Sequence, residues 1–259
     1  EPAAPMEFKV VIPARLGSTR LPRKVLRQIA GKPLVQYVWE AARSSGAEQV
    51  VIATDDPEVA DAVRRFGAEV CLTAATHQSG TDRANEVARG AGWARDSIVV
   101  NLQGDEPLMP PSLVREAAQL LVDDATADIA TLAHPLHVAE DWLNPNVVKL
   151  VMDRRGYALY FSRAPIPWRR DPATTQDAAA HMPAGLAYRH IGLYAYRVGS
   201  LAQFSELPAA ELEQCEALEQ LRALTHGFRI RVGITDNPPP RGVDTEEDLA
   251  AVAGLMVRR

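Results

Sequence analysis

The residues best suited to chemistry begin in the stretch VVIPARLGSTRLPRK (10–24), where an apolar strand runs into a loop rich in Arg, Gly, Ser and Thr. No acidic residue occurs in 8–39, although the whole chain has a net charge of −5. Cations, hydroxyls and backbone N–H groups at a strand exit are the groups that bind polyphosphates. We therefore predict a phosphate-binding loop over 14–24, and we expect Arg27 and Lys32 to be solvated cations.

This loop matches neither of the two common glycine-rich phosphate motifs. A Walker A loop that begins at Gly17 would need glycine and lysine from the position where Pro22 stands. The chain's G-x-G, Gly90 to Gly92, falls at a predicted helix end, and Arg95 occupies the place of the third small residue. The sequence therefore predicts a nucleotide-binding loop of another kind.

Two acidic segments complement the basic loop. NLQGDEP (101–107) follows a predicted central strand, which places Asp105 and Glu106 at the carboxyl end of that strand. PRGVDTEEDL (240–249) places Asp244 just before the last predicted helix, where an aspartate is also an ordinary N-terminal cap. Mg²⁺ binds one or two carboxylates together with phosphate oxygens, so Asp105 and Asp244 together form a candidate metal site.

Alternating strand and helix patterns predict how these segments are positioned. The predicted strands of the first half are 8–13, 49–54, 69–72 and 97–102. The predicted helices are 31–46 and three that begin at Asp56-Pro57, after Gly80 and at Pro110-Pro111. This order predicts an α/β fold with a Rossmann-like, mostly parallel central sheet flanked by helices. Ligands bind beyond the carboxyl ends of such strands, which selects 14–24, 54–56, 76–83 and 103–107.

The middle of the chain follows a different pattern. The predicted strands there are 128–136, 147–153, 157–163, 190–197 and 229–235. We expect a hairpin turn at 154–156, a surface loop over 168–187 and a final helix from Thr245. A single helix is predicted over 211–226, with an apolar stripe of Leu212, Cys215, Leu218 and Leu221. This half is expected to form a smaller antiparallel portion beside the parallel sheet.

Composition limits the class of protein. The chain has 259 residues, of which 47% are hydrophobic, and its negative net charge argues against binding to nucleic acid or an anionic membrane. No apolar run approaches the roughly 18 residues of a membrane span. Cys71 and Cys215 form no CxxC pair, and we expect both to be small buried hydrophobes. Residues 1–7 lack a secretory pattern and suggest a disordered terminus, so the expected location is the cytoplasm.

Several motifs resemble one enzyme family over 8–255. They are PARLGSTRLPRK, GKP, ATDD, HQSGTDR, NLQGDEP, NPNVVK, YALYFSRAPIPW, RHIGLYAYR, EALEQLRAL and GVDT. The chain is similar to the 3-deoxy-manno-octulosonate (Kdo) cytidylyltransferases, also called CMP-Kdo synthetases. The resemblance implies a nucleotide-diphospho-sugar transferase fold and the transfer of CMP from CTP to Kdo, with release of pyrophosphate, for lipopolysaccharide biosynthesis. It also implies Mg²⁺ as cofactor and a homodimer.

The resemblance also implies roles for individual residues. Catalysis is assigned to Arg15, Lys24, Asp105 and Asp244, of which the two aspartates are metal ligands. CTP binding is assigned to Ala14, Arg15, Arg20, Lys24, Gln78, Ser79, Gly80, Thr81, Arg83, Gln103 and Asp105. Sugar binding is assigned to Arg163, His190, Tyr194, Glu219 and Gln220. The residues alone leave alternatives: a helix cap at 79–81, a core role for His190, and a solvated helix face for Glu219 and Gln220.

The sequence departs from the family pattern at two places, and the residues also allow other functions. Arg23 stands where the family usually has glycine, and Pro238–Arg241 replace small residues before GVDT. The same fold could activate sialate or an amino-Kdo analogue, and a non-catalytic nucleotide sensor is a further alternative.

We expect residues 8–259 to form a single cytidylyltransferase domain. Its expected parts are 8–125 for CTP, 126–235 for the sugar and dimerisation, and 236–259 for the metal-ligand turn and last helix.

Overall fold

The computed structural model describes residues 6–18, 20–170, 177–240 and 242–256. These residues form two compact units. The first unit consists of the described residues within 1–119, 195–205 and 239–259, and the second consists of those within 120–194 and 206–238. Most of the predicted N-terminal tail, Thr19, Arg241 and part of the predicted 168–187 loop lie outside the described residues. The prediction of one domain in three parts stays a prediction.

The elements follow the predicted alternation closely. The strands are β1 (Lys9–Pro13), β2 (Gln28–Ile29), β3 (Lys32–Pro33), β4 (Gln49–Thr54), β5 (Glu69–Leu72), β6 (Ile98–Asn101), β7 (Ile129–Pro135), β8 (Lys149–Met152), β9 (Ala158–Ser162), β10 (Tyr188–Arg197) and β11 (Ile230–Ile234). The α-helices are α1 (Leu34–Ser44), α2 (Pro57–Arg65), α3 (Gly80–Gly90), α4 (Pro111–Asp123), α5 (Ala139–Leu143), α6 (Val198–Glu206), α7 (Glu211–Glu216), α8 (Gln220–Thr225) and α9 (Glu246–Met256). Short 3₁₀ turns cover Lys24–Leu26 and Ala178–His181.

The first unit is built on parallel strands in the order β6–β1–β4–β5. β1 lies between two parallel neighbours, and Val10, Val11 and Ile12 are fully buried, which explains its continuous apolar run. Two of the flanking helices begin at side-chain caps. Asp56 accepts the N–H groups of the first turn of α2, and Ser79 does the same for α3.

The second unit has the strand order β11–β7–β10, and β8 pairs antiparallel with β10 and β9. β11 and β7 are parallel over Ile230 to Ile234. The β8–β9 hairpin turns where Gly156 adopts φ +81°, a left-handed conformation that favours glycine. The predicted fold class, an α/β protein with a mostly parallel sheet and a smaller antiparallel portion, is confirmed.

The single helix predicted over 211–226 is wrong. Ala217 adopts φ 51° and ψ 51°, a left-handed conformation that ends α7 before α8 begins. The break resets the helical phase, so the predicted apolar stripe does not form. Leu218 and Leu221 are buried, whereas Leu212 is 47% exposed.

The predicted burial of both cysteines is also wrong, because Cys71 is half-buried and Cys215 is exposed. The small β2–β3 hairpin and the helices α5 and α6 have no counterpart among the predicted elements. No helix in the described part of the chain is both long and apolar enough to cross a membrane.

Candidate active site

Three segments of the first unit meet at one cleft. β1 ends at Pro13 and leads into the basic loop, and β6 ends at Asn101 and leads into the acidic segment 102–107. Because β1 and β6 are parallel neighbours, their carboxyl ends open at the same edge of the sheet. The third segment is the turn that carries Asp244 before α9.

The cleft has a volume of about 280 Å³. Its lining residues are Pro13, Arg15, Gly17, Ser18, Arg20, Lys24, Val25, Gln103, Gly104, Asp105 and Asp244. The structure thus brings together all four residues predicted for catalysis, together with Arg20 and Gln103 from the predicted CTP site.

Lys24 lies between the two carboxylates. Its Nζ is 2.8 Å from Asp105 Oδ2 and 2.9 Å from Asp244 Oδ1, and its side chain is 12% exposed. Burial lowers the pKa of Lys24, but the charges of these two aspartates and the hydrogen bonds to them outweigh burial and raise the pKa above its ordinary value. The ammonium is therefore charged at neutral pH.

Thr245 and Asp248, rather than Asp244, cap the first turn of α9. Thr245 Oγ1 accepts the N–H of Asp248, and Asp248 Oδ2 accepts the N–H groups of Asp244 and Thr245, each at 2.9 Å. The carboxylate of Asp244 instead bonds Lys24 and lies 3.5 Å from Arg20. The helix-cap alternative for Asp244 is therefore wrong.

Close backbone contacts fix the acidic segments. The N–H of Val243 donates to the carbonyl oxygen of Asp105 at 2.9 Å. A Cβ on Gly242 would come within 2.7 Å of Glu106 Oε1, and a Cβ on Gly104 within 2.8 Å of the Pro13 carbonyl oxygen. Glycine is needed at Gly104, where a Cβ would meet backbone, whereas a Cβ on Gly242 could be accommodated by movement of the Glu106 side chain and a small shift of the turn.

Three cations near the cleft are held by partners of their own. Arg27 makes a two-pronged ion pair with Glu246, and Lys32 bonds Glu40, while the two side chains stay 35% and 43% exposed, so both are surface cations as predicted and each also has an acidic partner. Arg23, the departure from the family pattern, adopts φ 58° and pairs through both terminal nitrogens with Glu58.

The predicted nucleotide segment 78–83 meets the cleft through Gly80. A Cβ on Gly80 would lie 3.1 Å from Pro13 and 3.2 Å from the Gln103 amide, both of which line the cleft. Arg83 is buried elsewhere, with Nη1 2.5 Å from Thr73 Oγ1.

Five further members of the predicted CTP set are not among the residues that line the cleft. Among the described residues, the cleft lining does not include Ala14, Gln78, Ser79, Thr81 and Arg83. Ser79 is the cap of α3, as the alternative interpretation of 79–81 expects. The predicted CTP-binding roles of these residues stay predictions.

The residues predicted for the sugar all lie in the second unit. His190 Nε2 lies 2.9 Å from Thr131 Oγ1, and the His190 ring centroid is 5.4 Å from that of Tyr194. Burial, and then the charge of Arg189, lower the pKa of His190 to about 3, so its imidazole is neutral. Glu219 directly precedes α8, and Gln220 is its buried first residue, so the solvated-face alternative is wrong for Gln220.

The donor set of the cleft fits a hard divalent ion. Within the part of the chain that the structure describes, no group of three His, Cys, Asp or Glu side chains could hold a metal by itself. Asp105 and Asp244 nevertheless converge on one cationic group, and Mg²⁺ needs only one or two carboxylates where substrate phosphates supply further oxygens.

Comparison with known proteins identifies the family. A family model described as cytidylyltransferase matches residues 9–230. The chain belongs to the cytidylyltransferase family. It is therefore a nucleotidyltransferase enzyme.

Two solved structures resemble this cytidylyltransferase. One, CMP:2-keto-3-deoxy-manno-octonic acid synthetase complexed with CTP, is 42% identical with a TM-score of 0.88, and the match covers 97% of this chain and 98% of that chain. The other, a cytidylyltransferase from Leptospira borgpetersenii serovar Hardjo-bovis (strain JB197), is 15% identical with a TM-score of 0.63. That match covers 98% of this chain and 87% of the other, and it supports the fold alone.

Two uncharged residues that shape the site of this cytidylyltransferase were not among the predicted site residues. Gly104 and Gly242 allow the close approaches described above. A glycine immediately before a charged residue at the end of a buried strand is a signal that could have identified Gly104. Gly242 gave no comparable signal, because its close contact is with a segment far away in the sequence.

Proposed function

We propose that this chain transfers CMP from CTP to Kdo and releases pyrophosphate. The observation that carries the proposal is the convergence of Asp105, Lys24 and Asp244 in one cleft that Arg15 and Arg20 also line. The solved synthetase supports the choice of substrates, because 2-keto-3-deoxy-manno-octonic acid is Kdo and that structure contains CTP.

The cations of the cleft are suited to the triphosphate. Arg15 and Arg20 are exposed at the cleft, and both are guanidinium groups, which bind phosphate oxygens in pairs. Phosphoryl transfer depends chiefly on positioning and charge neutralisation. Arg15 and Lys24 would hold the triphosphate in line for attack by the anomeric hydroxyl of Kdo, and would neutralise the charge that develops on the leaving pyrophosphate.

Asp105 and Asp244 would hold Mg²⁺. When bound, that ion polarises the phosphate oxygens and neutralises their charge. The Lys24 ammonium bonds one oxygen of each carboxylate, and its flexible stem would let the ammonium turn to a phosphate oxygen when the triphosphate binds. The backbone bond between Val243 and Asp105 holds the two acidic segments together during this change.

Pyrophosphate release in a coupled assay tests the proposal. Incubation of the chain with CTP, Kdo and Mg²⁺ should release one pyrophosphate per CMP-Kdo formed. UTP in place of CTP, and sialate or an amino-Kdo analogue in place of Kdo, are the comparisons that test the alternative substrates. Absence of product from CTP and Kdo would overturn the proposal, and nucleotide binding without pyrophosphate release would support the sensor alternative.

We also propose, on the family resemblance, that the chain acts in the cytoplasm as a homodimer. Sedimentation equilibrium of the full chain tests the oligomeric state, and a monomer at assay concentrations would contradict it.

A further inference from the structure

Lys149 is the fully buried lysine of β8, and its ammonium makes three hydrogen bonds to backbone carbonyl oxygens. Nζ lies 2.8 Å from the oxygen of Asn144, 2.6 Å from that of Val147 and 2.7 Å from that of Arg163. An ammonium has three donors, so every donor is used. A buried charge is costly unless it is fully hydrogen-bonded, and this arrangement meets that condition without a carboxylate among its direct partners.

Glu216 holds the other side of Arg163. Its Oε2 accepts the backbone N–H of Arg163 at 2.9 Å, and its Oε1 accepts the hydroxyl of Ser162 at 2.7 Å. Partial burial raises the pKa of Glu216, but these bonds outweigh burial and lower the pKa below its ordinary value. The main chain of Arg163 is thus held at its N–H by an anion and at its carbonyl by a cation.

The side chain of Arg163 is held as well. Nε donates to the carbonyl of Glu216 at 2.6 Å, Nη1 to that of Pro145 at 3.1 Å and Nη2 to that of Ala217 at 3.3 Å. A guanidinium has five N–H donors. Among the described residues, these bonds use one N–H of Nη1 and one N–H of Nη2, so each of these nitrogens keeps a second N–H. A two-pronged contact with a carboxylate needs two such N–H groups on neighbouring nitrogens.

We propose that Lys149 and Glu216 are positioning residues that orient Arg163 to bind the carboxylate of the sugar substrate. The inference rests on the proposed function, because it takes Kdo as the sugar. It adds to that function the means by which the chain prepares a carboxylate site. Neither residue contacts the substrate in this scheme, and both act through Arg163.

The ratio of kcat/KM for Kdo to kcat/KM for its C1 carboxamide isolates this role. The carboxamide keeps the shape of the substrate but removes the charge, so the change in this ratio from wild type to variant reports the contact with Arg163. Glu216→Gln and Lys149→Met should each lower this ratio about 10-fold or more, as expected for loss of a well-oriented charge-assisted contact. KM for CTP should stay unchanged.

Glu213→Gln is the matched control. Glu213 lies on the same helix α7 and is also held by an arginine, with Arg222 Nε at 2.8 Å. In the described structure it makes no bond to Arg163. This variant should keep the wild-type ratio even if it is less stable.

Each outcome of these activity measurements either supports or overturns the positioning role of Lys149 and Glu216. A variant that loses activity equally with both sugars has a merely structural role, and that result would overturn the inference while leaving the proposed function intact. Wild-type protein that makes no product from Kdo would overturn the proposed function and this inference with it. If Lys149→Met does not fold, the half-buried Glu216→Gln decides alone.

Discussion

The backbone N–H of Val243 donates to the carbonyl oxygen of Asp105 at 2.9 Å. This bond joins the segment after β6 to the turn before α9, and it places Asp244 next to the strand end that carries Asp105. Main-chain contacts therefore bring the two acidic segments together, and the Lys24 ammonium then bridges their carboxylates.

Gly242→Ala should disturb the cleft, although Gly242 is not one of the residues that line it. Its Cβ would come within 2.7 Å of Glu106 Oε1, which that flexible side chain can relieve, and within 3.1 Å of the Asp105 carbonyl oxygen, so the turn must shift by a few tenths of an ångström. A displacement of about 1 Å in a catalytic group can lower the rate about 100-fold, and we expect this smaller shift to lower kcat/KM by about 2- to 10-fold. Steady-state pyrophosphate release measures this.

Gly254→Ala is the control for that substitution. Gly254 lies in α9, and a Cβ there has no neighbour within 4 Å. Alanine should stabilise the helix by roughly 0.5–1 kcal/mol and leave activity unchanged. Equal activity in the two variants would show that the close contact at Gly242 does not position Asp244.

Asp105→Asn and Asp244→Asn should each lower kcat/KM by at least ~100-fold, because each removes a charged oxygen ligand from a preorganised site. Both variants should also need more Mg²⁺ for half-maximal rate. Glu246→Gln, two residues after Asp244 and paired with Arg27, is the control and should retain activity. Full activity in either aspartate variant would remove that residue from the metal site.

Lys24→Met should also cost at least ~100-fold in kcat/KM, since it removes the cation proposed to neutralise the leaving pyrophosphate. Lys32→Met, which breaks the pair with Glu40 and a cation–π contact with Tyr37, should retain activity. A small loss in Lys24→Met, matched by Lys32→Met, would contradict the assignment.

The raised pKa of Lys24 has a consequence for stability. Because the folded-state pKa lies above the ordinary value of 10.5, the stabilisation from the Lys24 bridge is complete below pH 10.5 and is lost only as pH rises through the folded-state pKa. Urea unfolding of wild type and Lys24→Met should therefore differ by a constant amount between pH 7 and 9, and a difference that decays across that range would contradict this.

His190 should make the protein sensitive to acid. Burial, and then the charge of Arg189, lower the pKa of His190 from 6.5 to about 3, so between these values the unfolded chain binds a proton that the folded protein does not. Stability should therefore fall as pH falls through this window, with a slope of up to about 1.4 kcal/mol per pH unit from this group.

His190→Gln should flatten the slope of unfolding free energy against pH between 6.5 and 3, as measured by urea unfolding. His226→Gln, at an exposed histidine at the end of α8, is the control for replacing a histidine by glutamine. An unchanged slope in His190→Gln would contradict the buried neutral imidazole.

Much of the fold could be predicted because the first half repeats one pattern. Apolar β-branched runs such as β1 and β4 are buried on both faces, and Asp56 and Ser79 mark helix starts with local side-chain caps. The end of a helix at Ala217 could not be predicted, because a non-glycine residue in a left-handed conformation is held by tertiary contacts such as the Arg163 bond to its carbonyl.

The candidate site likewise has features that could be predicted from the sequence and features that could not. Charge asymmetry and the strand-end rule selected the loop 14–24 and Asp105, the family resemblance singled out Arg15 and Lys24 within that loop, and the structure places all three residues in one cleft. Pairing between distant segments, as in the contact of Gly242 with Glu106, has no local signal. The engagement of Arg83 with Thr73 likewise depends on packing that the motif HQSGTDR does not encode.

The central claim is that Asp105 and Asp244 hold a metal ion on the triphosphate of CTP in the cleft that Lys24 lines. A crystal structure of the chain with CTP and Mg²⁺ tests it most directly. We expect both carboxylates to coordinate the ion, with Arg15 and Lys24 on phosphate oxygens. A nucleotide bound outside the cleft, or an ion that touches neither aspartate, would contradict the claim.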